Sequence, residues 1–80
     1  MVLSDLETGG SATVKMVLEH APGDLVARRL RDLGFVEGET VRLLTRGPIG
    51  GDPLLVQVGF TRFAMRRAEA ARVHLLARDA

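Results

Sequence analysis

The sequence predicts a mainly β domain, a small closed or nearly closed barrel of about five short strands with one short helix after the first strand. Short runs of apolar and β-branched residues alternate with glycine- and proline-containing turns, as in a chain of short strands. One segment has helical spacing of its apolar residues. Glycine is frequent, which suits a small barrel whose strands bend sharply.

Composition limits both the architecture and the cellular setting. Eighty residues, 46% of them apolar, suffice for one domain with one small core, and we assign it to residues 1–80. Without cysteine, disulfides, thiolate metal sites and thiol nucleophiles are excluded. No apolar run approaches the ~20 residues of a membrane helix, and the first residues do not form a signal peptide. We therefore expect a cytoplasmic protein that does not insert into the membrane.

The first strand and the helix follow an entry loop, residues 4–11. Residues 12–19 are rich in β-branched and apolar side chains and predict a strand, which the turn at 20–23 ends. Asp24 is a suitable N-cap for a helix of about ten residues, and Gly34 a suitable C′ residue. The apolar face of this helix is predicted to consist of Val26, Leu30 and Leu33.

The remaining chain predicts further strands joined by turns. Leu54, Val56 and Val58 alternate with Leu55 and Gln57, which places the first three on the core side. The predicted core includes Leu30, Leu33, Leu54 and Val56. The predicted elements are strands at 40–46, 54–58, 61–65 and 73–76, a loop at 47–53 and one helical turn at 66–71.

The sequence carries no catalytic signature, and we expect no enzymatic activity. The two serines, Ser4 and Ser11, lie in the entry loop and outside any nucleophile elbow. The glycine-rich stretch "GPIGGDP" lacks the Lys and Ser/Thr of a phosphate-binding loop. So short a domain also leaves little room for a pocket of ~300 Å³ or more.

The same stretch is a candidate partner-binding loop. Ile49 with Pro48 forms an exposed apolar tip, and Asp52 fixes the turn; the alternative is a loop with a structural role alone. On the helix, Arg28 and Arg31, with Arg29, form a basic face, which is either solvated surface or a docking site for an acidic protein patch. Nucleic acid is not expected as a partner, because the net charge is +1 and no aromatic residues lie among the arginines.

A divalent metal is the other candidate ligand, although no cofactor is required. His20 lies between Glu19 and Asp24, and an imidazole with two carboxylates suits Zn²⁺ or Fe²⁺, whether adventitious or regulatory. The alternative is an ordinary surface histidine, because structural metal sites gather four ligands. His74 is predicted to point outward between Val73 and Leu75.

From residue 3 to about residue 76 the sequence resembles the FeoA family of small cytosolic proteins of bacterial ferrous iron uptake. The resemblance runs through "LSDLETGGSATV", "LVARRLRDLGFVEGETVRLLTR", "GPIGGDPLLVQVG" and "TRFAMRRAEAARVHL". The family loop usually reads A-P-L-G-D-P, and this one is a glycine longer. The strongest matches are Leu30, Leu33, Gly34, Gly38, Val41, Pro48, Gly51, Asp52, Pro53, Ala64, Arg66, Glu69 and Ala70.

The resemblance implies an SH3-like barrel and a role beside FeoB, the ferrous iron transporter with a cytosolic GTP-binding region. The expected function is binding or regulation of that region by a monomer or weak homo-oligomer. A metal-responsive module akin to the C-terminal domain of iron-dependent repressors is the alternative. Activation of the partner's GTP hydrolysis ranks third, because nothing singles out one arginine as a finger residue. Proline-motif recognition is not expected, since Tyr and Trp are absent.

Overall fold

Five strands and three short helices make up residues 1–76, the part of the chain that the computed structural model describes. The predicted domain, 1–80, therefore includes residues 77–80, which lie outside the described part. The elements are a 3₁₀ helix at Leu3–Asp5, β1 at Ser11–Val17, α1 at Leu25–Asp32, β2 at Thr40–Gly47, β3 at Gly51–Val58, β4 at Thr61–Met65, α2 at Arg67–Ala70 and β5 at Val73–Leu75.

The strands form one antiparallel sheet in the order β4-β3-β2-β1-β5. The mainly β class, the five strands and the helix after the first strand are thereby confirmed. Pairing of β4 with β5 would close the sheet into a barrel. No such pairing occurs within residues 1–76, so closure of the barrel remains a prediction.

The predicted loop at 47–53 is shorter in the structure. β2 extends through Gly47 and β3 starts at Gly51, and these two residues are paired across the hairpin. The pairing reaches these glycines because shifts in register, as in β-bulges, compensate for the unequal numbers of residues in the two paired strands. The connection is therefore a hairpin tip of three residues, Pro48, Ile49 and Gly50.

The N-terminal segment, predicted to be a loop, contributes to the core. Leu3 and Leu6 are fully buried, and the chain between them forms the 3₁₀ helix. The Arg46 guanidinium of β2 donates hydrogen bonds to the carbonyl oxygens of Ser4 (2.8 Å) and Leu6 (2.7 Å). These long-range bonds hold the segment in place.

The apolar face of α1 differs in part from the prediction. Asp24 is the N-cap, Gly34 has the positive φ of a C′ residue, +116°, and Leu30 is buried, all as predicted. Val26, however, is exposed, and Ala27 is buried in its place. The face is centred on Ala27, whose small side chain lets the helix lie close to the sheet.

Apolar side chains alone form the core of residues 1–76. Leu54, Val56 and Val58 of β3 face inward, as the alternation predicts, and Leu33 packs against the core from its edge. No helix in residues 1–76 has the length and apolar content needed to cross a bilayer. The buried residues are Leu3, Leu6, Val14, Val17, Ala27, Leu30, Phe35, Val41, Leu43, Leu54, Val56, Val58, Met65, Ala70, Val73 and Leu75.

Candidate binding site

The tip of the β2–β3 hairpin presents an isoleucine to solvent. Ile49 is 82% exposed, in agreement with its predicted position. The backbone N–H of Asp52 donates to the Ile49 carbonyl oxygen at 3.0 Å, which closes the tip. Ile49 therefore stands on an ordered turn.

Helix α2 braces this tip from the side. The Arg67 backbone N–H donates to Asp52 Oδ1 at 2.7 Å, and the Arg67 guanidinium donates to the Gly50 carbonyl oxygen. Asp52, predicted to fix the turn, does so by linking β3 to α2. Its carboxylate is thus engaged within the domain.

An open groove of about 660 Å³ lies beside the tip. Its volume exceeds what we expect from the sequence, which predicts little room for a pocket of ~300 Å³ or more. The groove forms on the outside of the domain, between elements, and takes no volume from the core. Its lining contains no serine, histidine or lysine, and the titratable groups that it contains are the carboxylates of Asp52 and Glu69 and the guanidinium groups of Arg29 and Arg66. The lining residues are Arg29, Ile49, Asp52, Pro53, Ala64, Met65, Arg66 and Glu69.

The groove has two carboxylates and two guanidinium groups, but only the carboxylates are satisfied. Asp52 accepts the backbone N–H of Arg67, and Glu69 accepts that of Arg66 at 2.9 Å. The guanidinium groups of Arg29 and Arg66 make no hydrogen bond or ion pair within residues 1–76. Because these two guanidinium groups keep free N–H donors within the described part of the chain, the groove can bind a carboxylate or another anionic group through them.

The predicted arginines, Arg28 and Arg31, do not line the groove. Arg31 Nη2 forms an exposed ion pair with Glu19 Oε1 at 2.9 Å. Their neighbour Arg29 points to the groove instead. The sequence places Arg29 on the same basic face, but only its position in the lining of the groove distinguishes it.

The predicted metal ligand Asp24 has an extensive set of hydrogen-bond donors. Its carboxylate accepts the backbone N–H groups of His20 (3.0 Å), Val26 (3.0 Å) and Ala27 (3.3 Å). Arg72 Nη1 donates to both oxygens, at 3.0 and 2.9 Å. These contacts cap α1 and attach it to the segment before β5.

The predicted trio of Glu19, His20 and Asp24 does not fit a divalent cation in this arrangement. Arg72 Nη2 lies 2.8 Å from His20 Nδ1, which can only accept this bond, since arginine only donates. Glu19 pairs with Arg31. Within the described residues, no group of three His, Asp or Glu side chains is placed to hold a metal ion. His74 is half-buried between the buried Val73 and Leu75, consistent with its predicted outward direction.

The hydrogen bonds to Asp24 predict how stability depends on pH. Hydrogen bonds hold the pKa of Asp24 well below its ordinary value, although burial opposes this effect. In decreasing order of effect, the donors are the backbone N–H of His20, the backbone N–H of Ala27, the Arg72 guanidinium and the backbone N–H of Val26. A lowered pKa stabilises the folded state above the ordinary carboxyl pKa of about 4, and this stabilisation is lost as the pH falls below it.

We therefore expect Asp24→Asn to lower the melting temperature at pH 7. The asparagine keeps an oxygen that can cap the helix but lacks the charge that binds Arg72. As the pH falls below about 4 the difference between the two melting temperatures should shrink progressively, because the unfolded wild-type chain then takes up a proton at Asp24 that the folded protein does not. Thermal denaturation across this range checks the prediction, and a constant difference at all pH values would contradict it.

Comparison with known proteins identifies the family. The FeoA domain family matches residues 1–75. FeoA from Stenotrophomonas maltophilia in complex with zinc, described as an SH3 domain protein and a candidate ferrous iron transport activating factor, shares 57% identity over 94% of this chain and 88% of that one, with a TM-score of 0.86. The FeoA protein from Chlorobium tepidum shares 40% identity over 100% of this chain and 74% of that one, with a TM-score of 0.80.

A more distant likeness concerns the fold alone. A manganese-dependent transcriptional repressor shares 19% identity over 95% of this chain and 41% of that one, with a TM-score of 0.76. Comparison with the curated proteins gives no significant match. The resemblance inferred from the sequence is thus confirmed: the chain belongs to the FeoA family, whose small members are associated with ferrous iron transport.

Proposed function

We propose that this protein is a cytoplasmic, non-enzymatic adaptor that binds the cytosolic GTP-binding region of the FeoB transporter. The observation that carries the proposal is Ile49, which is 82% exposed on a tip held by hydrogen bonds from α2. It lies next to a groove in which the guanidinium groups of two arginines have no partner among residues 1–76. A turn whose backbone is already ordered loses little conformational entropy on association. Central apolar anchors flanked by arginine are typical of binding hot spots.

The arrangement supports binding rather than catalysis. The groove offers apolar area from Ile49 and Pro53, and charge from Arg29 and Arg66, on one open surface. Such a surface suits a protein segment, whereas small-molecule sites enclose most of their ligand.

We expect Ile49→Asp to weaken binding of the FeoB cytosolic part by at least about tenfold, as loss of an apolar anchor does. The melting temperature should change little, because substitutions at exposed positions usually alter stability by less than about 0.5 kcal/mol. Co-purification with the FeoB cytosolic part, with and without guanine nucleotide, measures the effect.

Phe60→Asp provides the matched control. Phe60, like Ile49, is an exposed apolar residue on a hairpin turn, but it lies at the opposite end of β3. Equal losses in the two variants, or none in either, would remove the tip from the interface. Failure of the wild-type protein to co-purify under either nucleotide condition would overturn the proposed partner.

A metal-responsive module is the second candidate, and the zinc in the S. maltophilia relative favours it. In this chain His20 and Asp24 are engaged with Arg72, so metal binding there requires the ion pair to open. Under the adaptor proposal, calorimetry with Zn²⁺ should show no binding that His20→Ala removes. Micromolar binding by the wild type that the variant lacks would favour the metal module.

A further inference from the structure

Strand β4 forms a free edge of the sheet. It pairs with β3 on one side, and no strand of the described residues pairs with its other side. Within residues 1–76, no backbone hydrogen bond joins β4 to any element other than β3. Its outward N–H and C=O groups are therefore available to an added strand.

The hairpin geometry identifies these outward groups. A two-residue turn at Gly59 and Phe60 joins the strands and sets Val58 opposite Thr61. In a hairpin of this kind the residues flanking the turn form a hydrogen-bonded pair, and every second pair after it does so too. The register has no irregularity, so the backbone groups of Arg62 and Ala64 point away from β3.

The free edge leads into the groove. Ala64 and Met65, at the end of β4, line it together with Ile49, Pro53 and the unpaired Arg29 and Arg66. An extended segment hydrogen-bonded to Ala64 would thus enter the groove that the isoleucine and the two arginines line. Main-chain bonds would supply affinity there, and the side-chain contacts would supply selectivity.

We propose that an extended partner segment with an aliphatic residue next to acidic ones adds to β4 as a sixth strand. The choice of acidic residues follows from the free hydrogen-bond donors, because Asp52 and Glu69 each accept a backbone N–H, whereas the guanidinium groups of Arg29 and Arg66 have no partner within residues 1–76 and can donate to a carboxylate. This inference rests on the proposed adaptor function and specifies the kind of segment that the groove takes.

The test uses a random library of linear peptides displayed on phage. Selection on the wild-type protein should enrich peptides that combine acidic residues with Leu, Ile or Val. An enriched peptide, labelled with fluorescein, should bind at least about tenfold more weakly to Arg29→Glu and Arg66→Glu. Arg42→Glu, on the outer face of β2 and away from the groove, should bind as the wild type does.

Ala64→Pro tests the strand addition itself. Proline removes the outward N–H of Ala64 and leaves the pairing of β4 with β3 intact, as proline does at edge positions. We expect this variant to lose the peptide, and Ala64→Ser, which keeps the N–H, to retain it. Should Ala64→Pro fail to fold, hydrogen exchange on the wild type gives the answer, since the peptide should slow exchange of the Arg62 and Ala64 amides.

The outcomes separate this inference from the proposed function. No enriched peptide, an enriched set without acidic residues, or unprotected β4 amides would overturn the strand addition, even if the FeoB cytosolic part co-purifies. Peptide binding with protected β4 amides would support it, even if the transporter does not co-purify and the proposed partner is wrong.

Discussion

Replacing Leu30 with alanine is expected to lower the free energy of unfolding by about 2–5 kcal/mol. Leu30 is 2% exposed and is the largest side chain that α1 buries. Its truncation removes transfer free energy and leaves a cavity in a close-packed core. A domain of this size has a total stability of only about 5–15 kcal/mol, so the loss is a large fraction of it.

Leu25→Ala on the same helix is the matched control. Leu25 is 76% exposed, and its truncation should change the stability by less than about 0.5 kcal/mol. Urea denaturation followed by circular dichroism measures both variants. Equal effects at the two positions would mean that α1 is not docked on the sheet as described.

Local signals account for the parts of the fold that the sequence predicts. Asp24 and Gly34 mark the ends of α1 because the capping bonds of a helix involve its own neighbouring residues. The alternation at Leu54, Val56 and Val58 determines which face of β3 is buried. Each of these features depends on residues that lie within a few positions of one another in the sequence.

The N-terminal segment could not be placed in the same way. Leu3 and Leu6 are three residues apart, which is a weak pattern for so short a segment. What fixes them is Arg46, which lies 42 residues after Ser4 and 40 after Leu6 in sequence. A buried apolar pair of this kind becomes visible only when the chain is folded.

The candidate site also depends on residues that are distant in the sequence. Ile49 and its loop follow from composition, but the choice of Arg29 over Arg28 and Arg31 depends on which of the three arginines lines the groove in the folded chain. The carboxylates near His20 suggest a metal site in the sequence, whereas in the folded chain Arg72, 48 residues after Asp24, donates to the Asp24 carboxylate. Contacts between residues far apart in the sequence therefore determine whether a cluster of charged side chains is free to bind a ligand.

Gly47→Ala is expected to destabilise the protein by about 1–3 kcal/mol or more, as overpacking does. Gly47 lacks a positive φ, so its requirement for glycine concerns space rather than dihedral angles. An added Cβ would lie 2.5 Å from the Asp52 carbonyl carbon, closer still to its oxygen, and 2.7 Å from Pro53 N. All three are backbone atoms, so only a shift of the chain can relieve the clash.

The shift should also impair binding at the groove, because Ile49 and the carboxylate of Asp52 both lie on the displaced hairpin. Gly50→Asn is the matched control: a Cβ there meets nothing within 4 Å, and asparagine tolerates the φ of +62°. Thermal denaturation and peptide affinity should therefore separate the two variants. A Gly47→Ala protein with wild-type stability would mean that β2 and β3 are further apart at this end than described, and the geometry argued for the tip would then be wrong.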